Sequence, residues 1–312
     1  MLADLGGEPR CALFSFPTGE PQKTRATWSD LTDRLLAAGF GRDTAIVALG
    51  GGVVGDVAGF VAATFLRGIP YVQVPTTLLA MIDSSIGGKT GVDTPQGKNL
   101  VGAFHQPAVV VADASTLKTL PERHVSAGIA EAIKHGAIAD ARYFEWLVAD
   151  CAAILARDVD TLQEVVRRSV EIKAAVVSDD VKEQGKRAVL NFGHTFGHAI
   201  EAVTGYRSLH GEAVAIGMVA EVELGLELGI TDPAVPDRLR AAAAALRLPA
   251  TLPHGVAPER VLQTMEQDKK KRRGHARFAL LERLGRVART AAGEWTHAAT
   301  EPAISRVLDR MK

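Results

Sequence analysis

TAIVALGGGVVGDVAGFVAATFLRG (44–68), followed at once by YVQVPTT (71–77), decides the fold. TAIVALGGG is a buried strand running into glycines. VVGDVAGFVAATFLRG is a helix of small residues, and YVQVPTT is a second strand. Strand, helix and strand in succession predict a parallel sheet with helices on both faces. Upstream, CALFSF (11–16) is a strand candidate. GEPQKTRATWSDLTDRLLAAGFGRD (19–43) predicts a helix with Trp28, Leu31, Leu35 and Leu36 on one side and Gly39 near its stop.

Downstream, residues 81–107 read as a glycine-rich, loop-rich segment with two Gly-Lys pairs, neither at P-loop spacing. AVVVADAS (108–115) carries a last strand, and Pro121 turns the chain. This places a boundary near 115–120, with an α/β domain over 1–117 and a second domain over 118–312. Beyond it the alternation stops. Helical patterns occupy 141–156, 161–180 and 211–229, then PDRLRAAAAALR and PERVLQTMEQ, so the second domain is expected to be all-α. RFALLERLG (277–285) reads as a closing strand.

Composition narrows the function. The 312 residues suit one large or two ordinary domains. Apolar residues make up 47% but aromatics only 5%, so the core is aliphatic. Thirty-six acids balance thirty-six bases, which argues against a nucleic-acid or membrane-surface protein. KKKRR (269–273) in such a neutral chain reads as a solvated turn. Cys11 and Cys151 are isolated and make no disulfide framework. No signal peptide and no membrane span are expected, and a reducing cytoplasm fits.

Two constellations carry chemistry. The first is Gly50-x-Gly52-x-x-Gly55 at a strand-to-helix turn, where backbone amides and a helix N-terminus suit a pyrophosphate. The acidic ribose partner due about twenty residues on is missing, since that place reads VPTT (74–77). Tight helix–sheet packing explains the glycines equally well. The second is GKRAVLNFGHTFGHAIEAVTGYRSLHGEAVAIG (185–217). His194 and His198 are four apart and share a helical face; His210 opens the next helix. Earlier, in AGIAEAIKHG (127–136), Glu131 and Lys134 share a face. Two imidazoles and a carboxylate form a common catalytic zinc set with an open position. Alone, an H-x-x-x-H pair also reads as two partly buried, hydrogen-bonded histidines. Arg187, Asn191 and the small Gly193 and Gly197 make the metal reading stronger.

LNFGHTFGHAIE (190–201) followed by HGEAVAIGM (210–218) resembles the metal-binding core of the 3-dehydroquinate synthases, members of the sugar phosphate cyclases and distant relatives of the metal-dependent glycerol dehydrogenases. The resemblance runs from GEPQK (19–23) to RFALLERLG (277–285). It implies an NAD-binding α/β domain and a helical metal- and substrate-binding domain. It implies Glu131, His194 and His210 as ligands of zinc or cobalt, with His198 a catalytic histidine near the substrate phosphate. Lys134, Asp83, Glu183 and Asn191 match active-site positions. Arg67, Lys89, Asn99, Lys173, Arg187 and either Lys269 or Lys270 match substrate contacts. Glu20, Lys23, Gly51, Gly52, Gly55, Asp56, Thr76, Thr77 and Lys98 match NAD contacts. The implied substrate is 3-deoxy-D-arabino-heptulosonate 7-phosphate, a phosphorylated sugar acid cyclised to 3-dehydroquinate in aromatic biosynthesis. A different heptulose phosphate is the alternative substrate, and an inert NAD- or metal-binding relic is the alternative class. The resemblance also implies a homodimer in which Arg67 reaches the neighbouring subunit's substrate.

Members of that family usually carry several dozen more residues ahead of the GEPQK segment, where this chain has eighteen. Fewer strands at that end predict an exposed apolar sheet edge and a weaker grip on the adenosine.

Overall fold

The computed structural model describes residues 10–180, 185–271 and 276–312, leaving aside the side chains of 268–271. The chain forms two compact units. The first comprises 1–49, 53–73 and 88–109, and the second 50–52, 74–87 and 110–312.

In the first unit, α1 (Arg25–Ala37) starts where the Thr24 hydroxyl accepts from the Thr27 amide at 3.2 Å. Then come β1 (Ile46–Gly50), α2 (Gly52–Thr64) and β2 (Tyr71–Pro75). A hairpin of β3 (Lys89–Thr94) and β4 (Gly97–Phe104) leads to the short β5 (Val109–Val110). The parallel sheet has the order β1–β2–β5. Its core joins Leu31 and Leu35 of α1, Val57, Phe60 and Val61 of α2, Tyr71 and Val92. Leu36, expected on the same face of α1, points outward. In β1, Ala48 is buried while Val47 and Leu49 are each 64% exposed, so one face of this strand is bare.

Two expectations fail here. Residues 11–16 form no strand. The segment read as loop is largely the antiparallel β3–β4 hairpin, with Lys89 opposite Phe104 and Gly91 opposite Gly102. The glycines that suggested a loop serve close approach instead. A Cβ on Gly91 or on Gly102 would collide with the backbone of the facing strand.

The second unit is mostly helical: α3 (Glu122–Ala139), α4 (Ala141–Ala149), α5 (Cys151–Leu155), α6 (Val159–Asp179), α7 (His194–Val203), α8 (His210–Glu227), α9 (Val235–Ala245), α10 (Pro258–Lys271) and α11 (Glu301–Arg310). The helix expected over 141–156 breaks at Asp150, and the expected closing strand is shorter pieces. These are β6 (Arg277–Phe278) paired with β9 (His297–Ala298), and β7 (Leu281–Arg283) paired with β8 (Arg286–Val287). Among the described residues no helix is long and apolar enough to cross a membrane.

Glycines bring α3, α7 and α8 together. A Cβ on Gly211 would strike the Ala127 carbonyl of α3, and one on Gly217 the Gly193 carbonyl. Backbones in contact let long side chains from three helices reach one point.

Candidate active site

Glu131, on α3, is fully buried. Its Oε1 lies 3.5 Å from His194 Nε2 and 3.3 Å from His210 Nε2. The three residues offer ligand atoms all within 4.8 Å of one another. Both imidazoles are oriented from behind, since His194 Nδ1 faces the Phe192 carbonyl at 3.1 Å and His210 Nδ1 faces Glu201 Oε2 at 3.3 Å. Each ring therefore turns Nε2 toward Glu131, the arrangement of an imidazole that would bind a metal through Nε2 while Nδ1 is held from behind. Both Glu131 oxygens are buried away from water. A carboxylate in that state needs cations.

The charges meet that need. Burial pushes the Glu131 carboxyl up, but Lys134, His194 and His210 beside it hold it well below the usual carboxylate range. Burial also disfavours a charged His210, yet hydrogen bonds to Glu131 and Glu201 pull it up to about 10. His194 goes the other way, to about 3, through burial and the nearby Lys134. Carboxylates on both sides of His210 thus make this a point that demands positive charge.

A second knot adjoins it. Lys134 pairs with Glu131 Oε2 and lies 3.7 Å from Asp83 Oδ1. Lys173 of α6 meets the same Oδ1 at 2.7 Å and donates to the Asp83 carbonyl at 2.6 Å. Asp83 sits in a single π-helical turn, Ala80–Ser84, which aims its carboxylate between the two lysines. Burial opposes its ionisation, but Lys173 and Lys134 hold it ionised. Arg187 is buried against Gly87, where a Cβ would collide with its guanidinium. His198 is exposed, its ring centroid 5.4 Å from that of His194 and 6.2 Å from that of His210. Asn191 is exposed at the end of the short turn before α7. The glycine turn also belongs to this unit. A Cβ on Gly51 would lie 3.1 Å from Thr77 Cγ2, and one on Gly52 3.0 Å from Ser84 Oγ. Thr76 donates its amide to the Gly50 carbonyl at 2.9 Å.

In the first unit, Lys23 is buried and bonded to both Asp56 and Asn99. Asn99, at φ 56, donates its amide to Asp93 at 2.8 Å. Lys98 lies 3.4 Å from Glu20. Burial raises the Asp56 carboxyl although Lys23 opposes it. Four residues expected at a cofactor, Glu20, Lys23, Asp56 and Lys98, thus gather here together with Asn99. Gly55 of α2 packs on Gln73. Lys89 opens β3. Arg67 is exposed on a two-residue left-handed bend, Leu66 at φ 48 and Arg67 at φ 70. Glu183 and the side chains of Lys269 and Lys270 lie outside the described residues.

Sequence reading missed Glu201. The signal was present: Glu201 is seven residues after His194, on the same helical face. Its partner, His210, lies on another helix, so spacing alone did not connect them.

Two family profiles match this chain. The 3-dehydroquinate synthase N-terminal profile covers residues 13–127 and the C-terminal profile covers 128–271. The chain belongs to the 3-dehydroquinate synthase family. A 3-dehydroquinate synthase of Symbiobacterium thermophilum is 51% identical over 280 residues, 89% of this chain and 78% of its own length. Among solved structures, a 2-deoxy-scyllo-inosose synthase complexed with carbaglucose-6-phosphate, NAD+ and Co2+ superposes with a TM-score of 0.88 at 30% identity. The match covers 95% of this chain and 82% of that one. A 2-epi-5-epi-valiolone synthase of Streptomyces hygroscopicus with NAD+ and Zn2+ bound gives 0.87 at 29% identity, over 95% and 81%. Membership in the 3-dehydroquinate synthase family is thus supported along nearly the whole chain.

Proposed function

We propose that this chain converts 3-deoxy-D-arabino-heptulosonate 7-phosphate into 3-dehydroquinate and phosphate. The steps are transient oxidation of an alcohol by NAD, elimination of phosphate, return of the hydride, ring opening and intramolecular aldol closure. This makes it an NAD- and metal-dependent carbon–oxygen lyase acting on a phosphate. The observation that carries the reading is the convergence of Glu131, His194 and His210 beside the Lys134–Asp83–Lys173 knot. The relative that is 51% identical over 280 residues bears that activity in its name, which favours this substrate over another heptulose phosphate.

Glu131, His194 and His210 would hold one divalent cation, zinc or cobalt. Bound there, the cation supplies Lewis acidity toward a substrate oxygen. The protein's own groups do the rest. Glu201 and the Phe192 carbonyl keep both imidazoles in the tautomer with Nε2 free. Lys134 holds Glu131 ionised. Asp83 is poised between Lys134 and Lys173, so a substrate hydroxyl arriving there meets one acceptor and two cationic donors. Lys173 and Arg187, with Lys269 or Lys270, Lys89 and Asn99, suit a doubly charged phosphate and a carboxylate. His198 and Asn191, both exposed, are assigned to the substrate, and Glu183 with them. Glu20, Lys23, Asp56 and Lys98, with Gly51, Gly52, Gly55, Thr76 and Thr77, are assigned to NAD, which takes a hydride and gives it back. We further assign a homodimer in which Arg67, exposed and without an ion-pair partner among the described residues, serves a neighbouring subunit. The division of the chain at about residue 117 remains part of this reading.

The test is phosphate release from the heptulosonate phosphate by metal-stripped protein, with NAD and zinc each added or withheld. Release that needs both is expected. Release with neither sinks the reading.

A further inference from the structure

The crossing of α7 and α8 holds a carboxyl group for which the reaction has no task. Glu221 lies on α8 eleven residues beyond His210 and is fully buried. Its Oε1 accepts from the Thr195 amide at 3.3 Å, and the Gly193 amide lies beside the carboxylate and favours its charged form. Its Oε2 is buried without a hydrogen-bond partner. The two amides stand on either side of His194, in the opening turn of α7.

Amides in the first turn of a helix have no partner inside the helix. The usual remedy is a side-chain oxygen at the N-cap. Here the N-cap is Gly193, in the left-handed region at φ 81, with no side chain to give. Gly193 cannot be exchanged for a capping residue, because a Cβ there would collide with Met218 and the Val214 carbonyl. The acceptor therefore comes from the neighbouring helix. Glu221 can reach because Gly217 lets the two backbones touch.

Burying a carboxyl group with one oxygen unsatisfied is unfavourable, and an apolar side chain in its place would avoid that penalty. What Glu221 fixes in return is the turn that carries His194. The other anchor of that imidazole, the Phe192 carbonyl, belongs to the same turn.

We propose that Glu221 is a positioning residue for His194, acting through the reach and acceptor oxygen of its side chain and not through its charge. This rests on Glu131, His194 and His210 being metal ligands. Burial drives the Glu221 carboxyl well above the usual range, in keeping with an acceptor that works uncharged.

Two conservative variants separate reach from charge. Glu221→Gln keeps length and acceptor and loses the charge. Glu221→Asp keeps the charge and loses one methylene of reach. Zinc affinity is measured by competition with a chromophoric chelator, and the visible band of the cobalt(II) form reports ligand geometry. Thermal melts confirm folding. Glu221→Gln should bind zinc within about threefold of the parent with an unchanged cobalt band, whereas Glu221→Asp should bind roughly 10-fold or more weakly with a shifted band, the usual scale for a lost support behind a metal ligand. Parent-like affinity in Glu221→Asp, or a loss in Glu221→Gln as large as in Glu221→Asp, overturns the proposal. Should Glu221→Asp not fold, Glu221→Leu, which fills the buried space without an acceptor, takes its place: it should lose zinc as far, and parent-like affinity there overturns the proposal. A parent chain that binds no zinc sinks the metal reading itself, whereas a zinc-binding parent with two indifferent variants sinks only the role of Glu221.

Discussion

The buried knot around Glu131 and the cluster around Lys23 use the same residue types under different conditions. Glu131 and Lys134 of α3 sit almost wholly out of water, where α3, α7 and α8 touch through their backbones. Lys23 is almost equally buried, but its partner Asp56 keeps 19% of its side chain exposed and Asn99 is exposed, whereas Glu131, the partner of Lys134, keeps none; the Asp83 end of the inner knot, at 22%, resembles the outer cluster. Depth sets the consequence. A charge lost from the inner knot leaves a partner with nowhere to turn, whereas the outer cluster can draw on solvent.

The largest effect should come from breaking the inner knot. Glu131→Gln leaves Lys134 with only the more distant Asp83, and removing one partner of a buried pair costs about 3–5 kcal/mol. Urea unfolding should show that loss, and turnover should fall below detection. Glu131→Gln combined with Lys134→Met should recover much of the stability and none of the activity. A double variant no more stable than the single would show that the pair is not the source. Removing Glu201 acts one step further out. Glu201→Leu leaves His210 free to turn, and metal affinity should fall about 10- to 100-fold. An unchanged zinc titration would count against Glu201 as the group that sets His210.

In the outer cluster, Lys23→Met strands a partly solvated Asp56. We expect a loss of about 1–3 kcal/mol, the range for an unpaired buried polar group, with a raised KM for NAD and little change in zinc affinity. If zinc affinity fell as far as NAD affinity, the two clusters would not be separate in function.

How much of this was legible in the sequence follows the same division by depth. The strand–helix–strand order of 44–77 was readable because each element fixes its own period. Glu131, His194 and His210 were assigned by a resemblance carried in long motifs. The hairpin over 89–104 was not legible, because Gly91 and Gly102 look like turn punctuation until their strands are seen face to face. Glu201 offered only half a signal, its spacing from His194, and Glu221 offered none. Each acts across a helix crossing, and helical spacing records neighbours only on its own helix. The break at Asp150 was hidden because apolar spacing continues through it.

His135 gives a pH effect with a definite sign. It is fully buried, and both ring nitrogens lack hydrogen-bond partners. Burial first, then Lys134, depress it to about 3 from an ordinary 6.5. Below pH 6.5 the unfolded chain therefore binds a proton that the folded chain refuses, so stability falls as pH drops toward 3. Above 6.5 the contribution is complete and flat. His135→Leu should flatten the decline over this window by up to a few kcal/mol, read from urea midpoints at pH 7 and pH 5. An undiminished slope in the variant would move the acid sensitivity to another group.

The smallest effect is expected on the bare face of β1. Val47 and Leu49 bury little, so Val47→Thr with Leu49→Thr should change stability by no more than about 0.5 kcal/mol. Threonine keeps the β-branched shape of Val47 and introduces one at Leu49, a shape that suits a strand, so the backbone has no reason to move. The expectation depends on the face being open to water. If another surface covers it in solution, the same pair of changes would remove apolar contact worth roughly 25 cal/mol per Å². The loss would then grow as protein concentration rises, because a partner's contribution to stability follows mass action. Melting the parent and the double variant at two concentrations, a hundredfold apart, distinguishes the cases. A constant small difference leaves the face solvated, and a difference that widens with concentration makes it an interface.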